Sequence, residues 1–246
     1  MALALDAGTA FVAHTVLEMA GIFVGMRLYA GNMRRHPVGG IGHGAGFNVA
    51  LGCIVGAIVG SKLAAWIDRP DVARAALGSL QMWLMGQSIV GALIGGLVGV
   101  EIAKAASGVC ASTGDVFVVP LAIGIAIGRV GCFLAGLHDD TYGNPTALPW
   151  GIDFGDGVPR HPTQLYDIAF VIALAALLVR LRPTLARVPG LGFKLFLAGY
   201  LAWRIAIDFA KPVHYAYFGG LSGIQVVAAL SLAAYLPFVV RALRRL

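Results

Sequence analysis

Charge is what this sequence has least of. Only 12% of its 246 residues are Asp, Glu, Lys or Arg, about half the ~25% usual in soluble domains. Hydrophobic residues make up 59%, and the mean hydropathy is +0.83. A surface this poor in charge is excluded from water and fits a bilayer. Cysteine is also scarce. Cys53, Cys110 and Cys132 have spacings that match no metal site and no disulfide framework, so they read as small apolar residues. There is no Walker loop, no His-Glu-x-x-His and no Gly-x-Ser-x-Gly, which leaves no sign of nucleotide hydrolysis, zinc-protease or hydrolase chemistry. The first ten residues carry no positive charge, only Asp6, so they lack the n-region of a signal peptide and the first apolar run is expected to be retained.

What is abundant is long apolar sequence. Seven runs are long enough to cross a membrane as helices, at about 11–31, 43–66, 83–106, 115–136, 163–181, 192–210 and 221–242. The runs are unbroken rather than alternating, which favours helices over a β-barrel. The expectation is an all-α integral membrane protein of about seven transmembrane helices, forming a single polytopic domain over 1–246. With the N-terminus outside, nine Lys or Arg fall on the cytoplasmic side (Arg34, Arg35, Lys104, Arg180, Arg182, Arg187, Arg241, Arg244, Arg245) and four outside (Arg69, Arg74, Arg160, Lys211). The positive-inside rule therefore predicts N-out and C-in. A long outer loop, 137–162, then joins helices 4 and 5 and carries Asp139, Asp140, Asp153 and Asp156. The net charge of +6 reads as a topology signal, not as a nucleic-acid surface. Many of the 34 glycines lie inside the apolar runs, where small residues let helices approach closely.

Ionisable residues inside such runs cost about 2.5–3.5 kcal/mol each near mid-membrane, so they are functional candidates by default. Arg129, in Gly128-Arg129-Val130-Gly131-Cys132-Phe133, stands late in the fourth run. Its guanidinium fork suits phosphate or carboxylate; the structural alternative is an ion pair with Asp208 or Glu18. Arg204 and Asp208 are four apart and share a helix face. They either neutralise each other or hold Arg204 toward an anionic headgroup. The segment Pro159-Arg160-His161-Pro162-Thr163-Gln164-Leu165-Tyr166-Asp167 concentrates the most chemistry. Pro162 suits a first helical turn, a helix N-terminus beside Arg160 and His161 can hold an anion, and His161 can take a proton near neutral pH. The plainer reading makes Arg160 an interface anchor and His161 a cap. His138 beside Asp139 and Asp140 could meet a divalent cation, but no complete ligand set is visible and a solvated loop is favoured. His14 and Glu18, four apart, could pair on one helix face. No metal and no cofactor are expected.

The string Arg160-His161-Pro162-Thr163-Gln164-Leu165-Tyr166-Asp167 resembles the Arg-His-Pro-Ser/Thr-Gln-Leu-Tyr-Glu signature of the prolipoprotein diacylglyceryl transferase family. Three further stretches fit in order. Gly128 to Phe133 is similar to Gly-Arg-x-Gly-Asn-Phe, Gly199-Tyr200 through Arg204 and Asp208 to Gly-Tyr…Arg…Glu, and Val90 to Gly95 to His-Gly-Gly-Leu-Ile-Gly. The resemblance covers about 86–225. It implies a phospholipid-dependent transferase of the bacterial cytoplasmic membrane. Such an enzyme moves the diacylglyceryl group of phosphatidylglycerol to a lipobox cysteine of a prolipoprotein, and glycerol phosphate leaves. It implies that Arg129, Arg160, His161, Gln164, Tyr166, Arg204 and Asp208 belong to the site; with the residue reading beside it, catalytic roles are expected for Arg129, His161, Arg204 and His138, and substrate contacts from Arg160, Gln164, Tyr166, Asp208, Gly131 and Gly143. There are departures. Cys132, Ala135 and Leu137 stand where the family has Asn, Asn and Glu, and Val90 replaces its His. Those losses imply a divergent member with a changed acceptor or donor, or alternatively a non-catalytic lipid or anion binder or carrier on the same scaffold. The arginines are expected to converge with the 160–166 segment on one cavity near the outer leaflet.

Overall fold

The computed structural model describes residues 5–35, 43–76, 78 and 86–246; His36 and the first three residues of the third predicted run, 83–85, lie outside them. Nine α-helices occur among the described residues: α1 (Ala7–Arg35), α2 (His43–Asp68), α3 (Pro70–Ala76), α4 (Ile89–Ala106), α5 (Val118–Ala135), α6 (Thr163–Arg180), α7 (Arg182–Leu185), α8 (Leu191–Ile207) and α9 (Gly223–Leu243). The only sheet among them is a two-stranded antiparallel hairpin in the long loop, β1 (Ile152–Asp153) with β2 (Pro159–Arg160). Among the described residues, six helices are long and apolar enough to span a membrane. The sixth predicted run is α8, 17 residues long and continued by a 3₁₀ turn over Asp208–Ala210. The outward faces are greasy: Phe11, Phe23, Phe47 and Leu230 are 72%, 64%, 68% and 68% exposed. A soluble protein would not leave so much apolar surface uncovered, and a bilayer would cover it. The chain is therefore an all-α multi-pass membrane protein.

Contacts divide it into two units, Met1–Pro37 with Thr113–Pro212 and Arg241–Leu246, and Val38–Ser112 with Val213–Val240. In the second unit, α2 and α4 meet through two glycine ladders running in opposite directions. A Cβ on Gly52 would strike the carbonyl of Gly99, one on Gly56 that of Gly95, and one on Gly60 that of Gly91. Each ladder has glycine every fourth residue, which is one helix face. In lipid there is little hydrophobic drive between helices, so close backbone packing supplies the attachment. Gly95→Leu places a branched side chain against the Gly56 carbonyl. The expected result is a loss of at least about 1–3 kcal/mol, read as a lower unfolding temperature and a poor yield of dispersed protein in detergent.

The first unit holds every candidate site residue. Helix α1 begins on a cap, with the Asp6 carboxylate accepting from the backbone N–H of Gly8 and Thr9, each at 3.0 Å. It lies against α5 through Gly21 and Gly25, whose Cβ positions would meet the carbonyls of Gly124 and Pro120. Gly131 continues this approach on the α5 side, where a Cβ would crowd His14 and Leu17. Helix α8 is seated by Asp115, whose carboxylate accepts from Gly190 N at 2.6 Å and Phe193 N at 3.0 Å. It satisfies N–H groups that a helix start leaves without partners.

Candidate functional site

Three helices of the first unit each turn one or more polar residues inward on an otherwise apolar stripe. The buried face of α6 reads Thr163, Gln164, Asp167, Val171, Ala175 and Leu178. That of α8 includes Phe196, Leu197, Tyr200, Leu201, Arg204 and Ile207, and α5 buries Arg129 among Ala122, Gly131, Cys132 and Ala135. Helical spacing on each element puts these residues on one side. The result is a charge cluster centred on Asp167.

Asp167 is 1% exposed. Its Oδ1 accepts from Trp203 Nε1 at 2.8 Å, and Trp203 stacks on Phe170 with ring centroids 4.4 Å apart. Its Oδ2 faces three cations: Arg129 Nε at 3.1 Å, Arg204 Nη1 at 3.4 Å and Lys211 Nζ at 3.6 Å. Arg204 Nη2 also donates to Asp208 Oδ1 at 2.6 Å. Arg129, Arg204 and Asp208 are only 5%, 7% and 5% exposed. Three cations thus share two carboxylates. Hydrogen bonding is incomplete in the same place. Arg129 Nε lies close to Asp167 without an aligned bond, and Arg204 Nε and Gln164 Oε1 have no hydrogen-bond partner among the described residues. Tyr200 Oη faces the Arg129 guanidinium, again without an aligned bond. Buried polar atoms are ordinarily satisfied; the Arg129 and Arg204 Nε–H and the Tyr200 hydroxyl are donors that an anionic group could meet, whereas Gln164 Oε1 is an acceptor that would need a donor.

Lys211 is the residue that sequence reasoning missed, because it reads there only as an outer-loop charge. Burial pushes its amine down from the ordinary 10.5 to about 7, the nearby Arg204 adds to that, and Asp167 opposes it. Between those two values the folded chain binds fewer protons at this site than the unfolded chain. Stability therefore rises with pH across that window: the cost of burying the ammonium is complete below about 7 and gone above about 10.5. A thermal-unfolding series in detergent from pH 6 to pH 9 (roughly bracketing the lower value) is expected to show rising stability, and Lys211→Met is expected to flatten it.

The other predicted residues are placed differently. Arg160 is not in the cluster. It lies on β2, donates to Asp156 Oδ1 at 2.7 Å and to the Val158 carbonyl at 3.0 Å, and sits over the Tyr142 ring. The hairpin turn carries Asp156 back to it, a local pairing that helix spacing could not reveal. Arg160 thus pairs with Asp156 and not with the carboxylates that hold Arg129 and Arg204. The ion-pair alternative for Arg129 is corrected: its partner is Asp167, not Asp208 or Glu18. His161 Nδ1 is 3.4 Å from Tyr166 Oη, which accepts from Trp150 Nε1 at 2.7 Å. Gln164 Nε2 reaches Thr141 Oγ1 at 3.4 Å, and Thr163 Oγ1 donates to the Thr141 carbonyl at 2.7 Å. Gly143 is where the long loop crosses the 160–163 entry to α6. Its N–H donates to the His161 carbonyl at 3.0 Å, Asn144 N donates to the Ala210 carbonyl at 2.8 Å, and a Cβ would meet both carbonyls. So Gly143 holds the loop to the site by close packing. His138 is exposed and borders a hollow of about 230 Å³ lined also by Gly136 and Phe154; none of the cluster residues lines it. His14 and Glu18 do approach, at 3.8 Å.

The fold and the cluster define a multi-pass helical membrane protein with arginines held on buried carboxylates between its helices. The family model described as prolipoprotein diacylglyceryl transferase matches residues 2–241, and the chain belongs to that family. The phosphatidylglycerol–prolipoprotein diacylglyceryl transferase of Bordetella parapertussis is 32% identical over 167 residues, 66% of this chain and 60% of that protein. The like-named protein of Geobacter sulfurreducens is 31% identical over 172 residues, 67% of this chain and 63% of that protein. That of Methylocella silvestris is 32% identical over 206 residues, 80% of this chain and 72% of that protein. The matched stretch thus spans about three fifths of the first two relatives.

Proposed function

We propose that this chain is a phospholipid-dependent transferase of the bacterial cytoplasmic membrane, a single N-out, C-in polytopic module over 1–246. It moves the diacylglyceryl group of phosphatidylglycerol to a lipoprotein cysteine or to a changed polar acceptor. Its relatives' names support the reaction class. The observation that carries the reading is the charge balance of the buried cluster. Arg129, Arg204 and Lys211 against Asp167 and Asp208 leave one positive charge over when Lys211 is protonated. A phosphodiester brings one negative charge. In the transfer, the acceptor sulfur, as thiolate, bonds to the diacylglyceryl carbon while that carbon's bond to the phosphate oxygen breaks, and glycerol phosphate departs. Guanidinium N–H groups near the phosphate stabilise the charge that builds up on the leaving oxygen. His161, hydrogen-bonded to Tyr166, is the candidate to take the thiol proton; His138, at the hollow, is the other.

A second reading keeps the lipid and drops the chemistry. Its support is that Arg129 and Arg204 already rest on carboxylates and that the family's Asn, Glu and His positions are Cys132, Leu137 and Val90. The two readings part on one experiment. The purified protein is incubated in phosphatidylglycerol nanodiscs with a lipobox peptide, and separately with other polar acceptors, and the products are weighed by mass spectrometry. A diacylglyceryl adduct is expected. Lipid retained without any adduct, across all acceptors, refutes the transferase.

A further inference from the structure

Cysteine spacing in the sequence suggests no metal, and the neighbouring His138 offers no ligand set. The fold supplies a different histidine. Helix α1 lies so close to α5 at Gly131 that a Cβ there would crowd the His14 backbone. That approach brings His14 to Cys132 on the last turn of α5, and the 3₁₀ turn Gly136–Asp139 brings Asp139 back to both. One ligand atom from each of His14, Cys132 and Asp139 lies within 4.8 Å of the other two. We propose that these three residues bind a divalent transition ion of the zinc class, with a fourth position left for an exchangeable ligand.

The donor chemistry is one observation: an imidazole, a thiolate and a carboxylate are the N, S and O ligands that such ions prefer. Tetrahedral bonds of about 2.0–2.3 Å put ligand atoms some 3.3–3.8 Å apart, so only a small contraction is needed. The surroundings are a second. His14 Nδ1 is already 3.0 Å from Asp139 Oδ1, while its Nε2 faces Glu18 Oε2 at 3.8 Å. A carboxylate behind a ligating histidine fixes the ring and its tautomer. The other oxygen of Asp139 accepts from Thr141 Oγ1 at 2.6 Å, so Oδ1 is the one able to turn toward an ion. With Cys132 and Asp139 each contributing one negative charge, a divalent ion leaves the site neutral. That matters beside Arg129, whose Nη1 is 3.8 Å from Cys132 Sγ and whose own charge rests on Asp167.

Three protein ligands and an open position are the pattern of catalytic rather than closed structural zinc. Water would occupy the fourth position at rest. A substrate thiol would displace it, binding as thiolate and releasing its proton to solvent. This last use rests on the transferase reading; ion binding itself does not. It would place a thiol-activating group where the family's asparagine has become Cys132.

The test uses the full-length protein in detergent, stripped with chelator and reloaded with Zn²⁺ or Co²⁺. One tightly held ion per chain is expected by elemental analysis, and the Co²⁺ form should show a thiolate-to-cobalt charge-transfer band. Cys132→Ser should abolish the band, His14→Gln and Asp139→Asn should weaken ion retention at least about tenfold, and Cys110→Ser, at an exposed thiol, should change nothing. A wild-type protein that takes up no ion, or a charge-transfer band that survives Cys132→Ser, overturns the proposal. Loss of ion binding in Cys132→Ser with an unchanged elution profile supports it. If every variant of the three fails to fold, the Co²⁺ spectrum of the Cys53→Ser, Cys110→Ser protein decides, since Cys132 is then the one thiol left: a band requires it as a ligand and its absence excludes it. Peptide thiol added to the Co²⁺ form should shift the band in proportion to occupancy, whether or not any diacylglyceryl adduct forms, which keeps this result separate from that of the transferase assay.

Discussion

Asp167→Asn is expected to cost about 3–5 kcal/mol of stability, because it removes one side of a buried charge network while leaving the other side in place. The substitution nearly preserves shape, and asparagine can still accept the hydrogen bond from Trp203 that Asp167 takes at 2.8 Å. What it deletes is the charge that faces Arg129, Arg204 and Lys211 within 3.1–3.6 Å. The cluster then holds three cations against Asp208 alone. Below pH 7 (about where Lys211 gains its proton) the penalty is largest. Removing one cation should give part of it back, so Asp167→Asn with Lys211→Met is expected to unfold at a higher temperature than Asp167→Asn alone, with a coupling of about 0.5–3 kcal/mol. Thermal unfolding in detergent measures both. A single variant as stable as the native protein would show that Asp167 is not the hub of the network.

Arg129→Lys is expected to lower the rate of diacylglyceryl transfer by about 10²–10³-fold, the range seen when one charge-stabilising donor is lost. Lysine keeps the positive charge and can still approach Asp167, so folding should be nearly retained. What disappears is the planar fork, which can serve Asp167 through one N–H and a phosphate through others. The side chain of Arg129 is already divided in this way, with its Nε toward Asp167 and its Nη1 toward Cys132 Sγ at 3.8 Å. The expected pattern is a fall in kcat larger than any rise in KM for phosphatidylglycerol, since the interaction strengthens as the phosphate leaves. An equal change in KM with kcat untouched would assign Arg129 to lipid binding alone, as the second reading holds.

Much of the site is legible in the chain. Arg204 and Asp208 pair by their spacing of four, and they meet at 2.6 Å; a helix makes that contact by itself. Arg129 stands out because an arginine inside an apolar run has to be accounted for. The glycines within the apolar runs point to close helix packing, and the α2–α4 ladders are that packing. Asp167 ends the most polar segment of the chain, but nothing local distinguishes it from a solvated helix-start carboxylate. A cue is present: Thr163, Gln164 and Asp167 share the stripe that continues through Val171, Ala175 and Leu178. Lys211 and Arg160 cannot be sorted from each other by sequence. Both lie beside helix ends, yet one faces Asp167 and the other turns back to Asp156.

The sequence by itself determined that this is a multi-pass helical membrane protein. Span length, low charge and apolar continuity are properties of single segments, and each segment's backbone must satisfy its own hydrogen bonds in lipid. It also determined the family, because the motif residues stand in order along the chain. The tertiary structure alone decided which carboxylate meets the arginines, and that His14 stands beside Cys132 and Asp139, residues far along the chain from it. Those meetings depend on the depth and angle at which α1, α5, α6 and α8 pack, and that is set jointly by glycines and side-chain volumes on different helices. No one segment contains it.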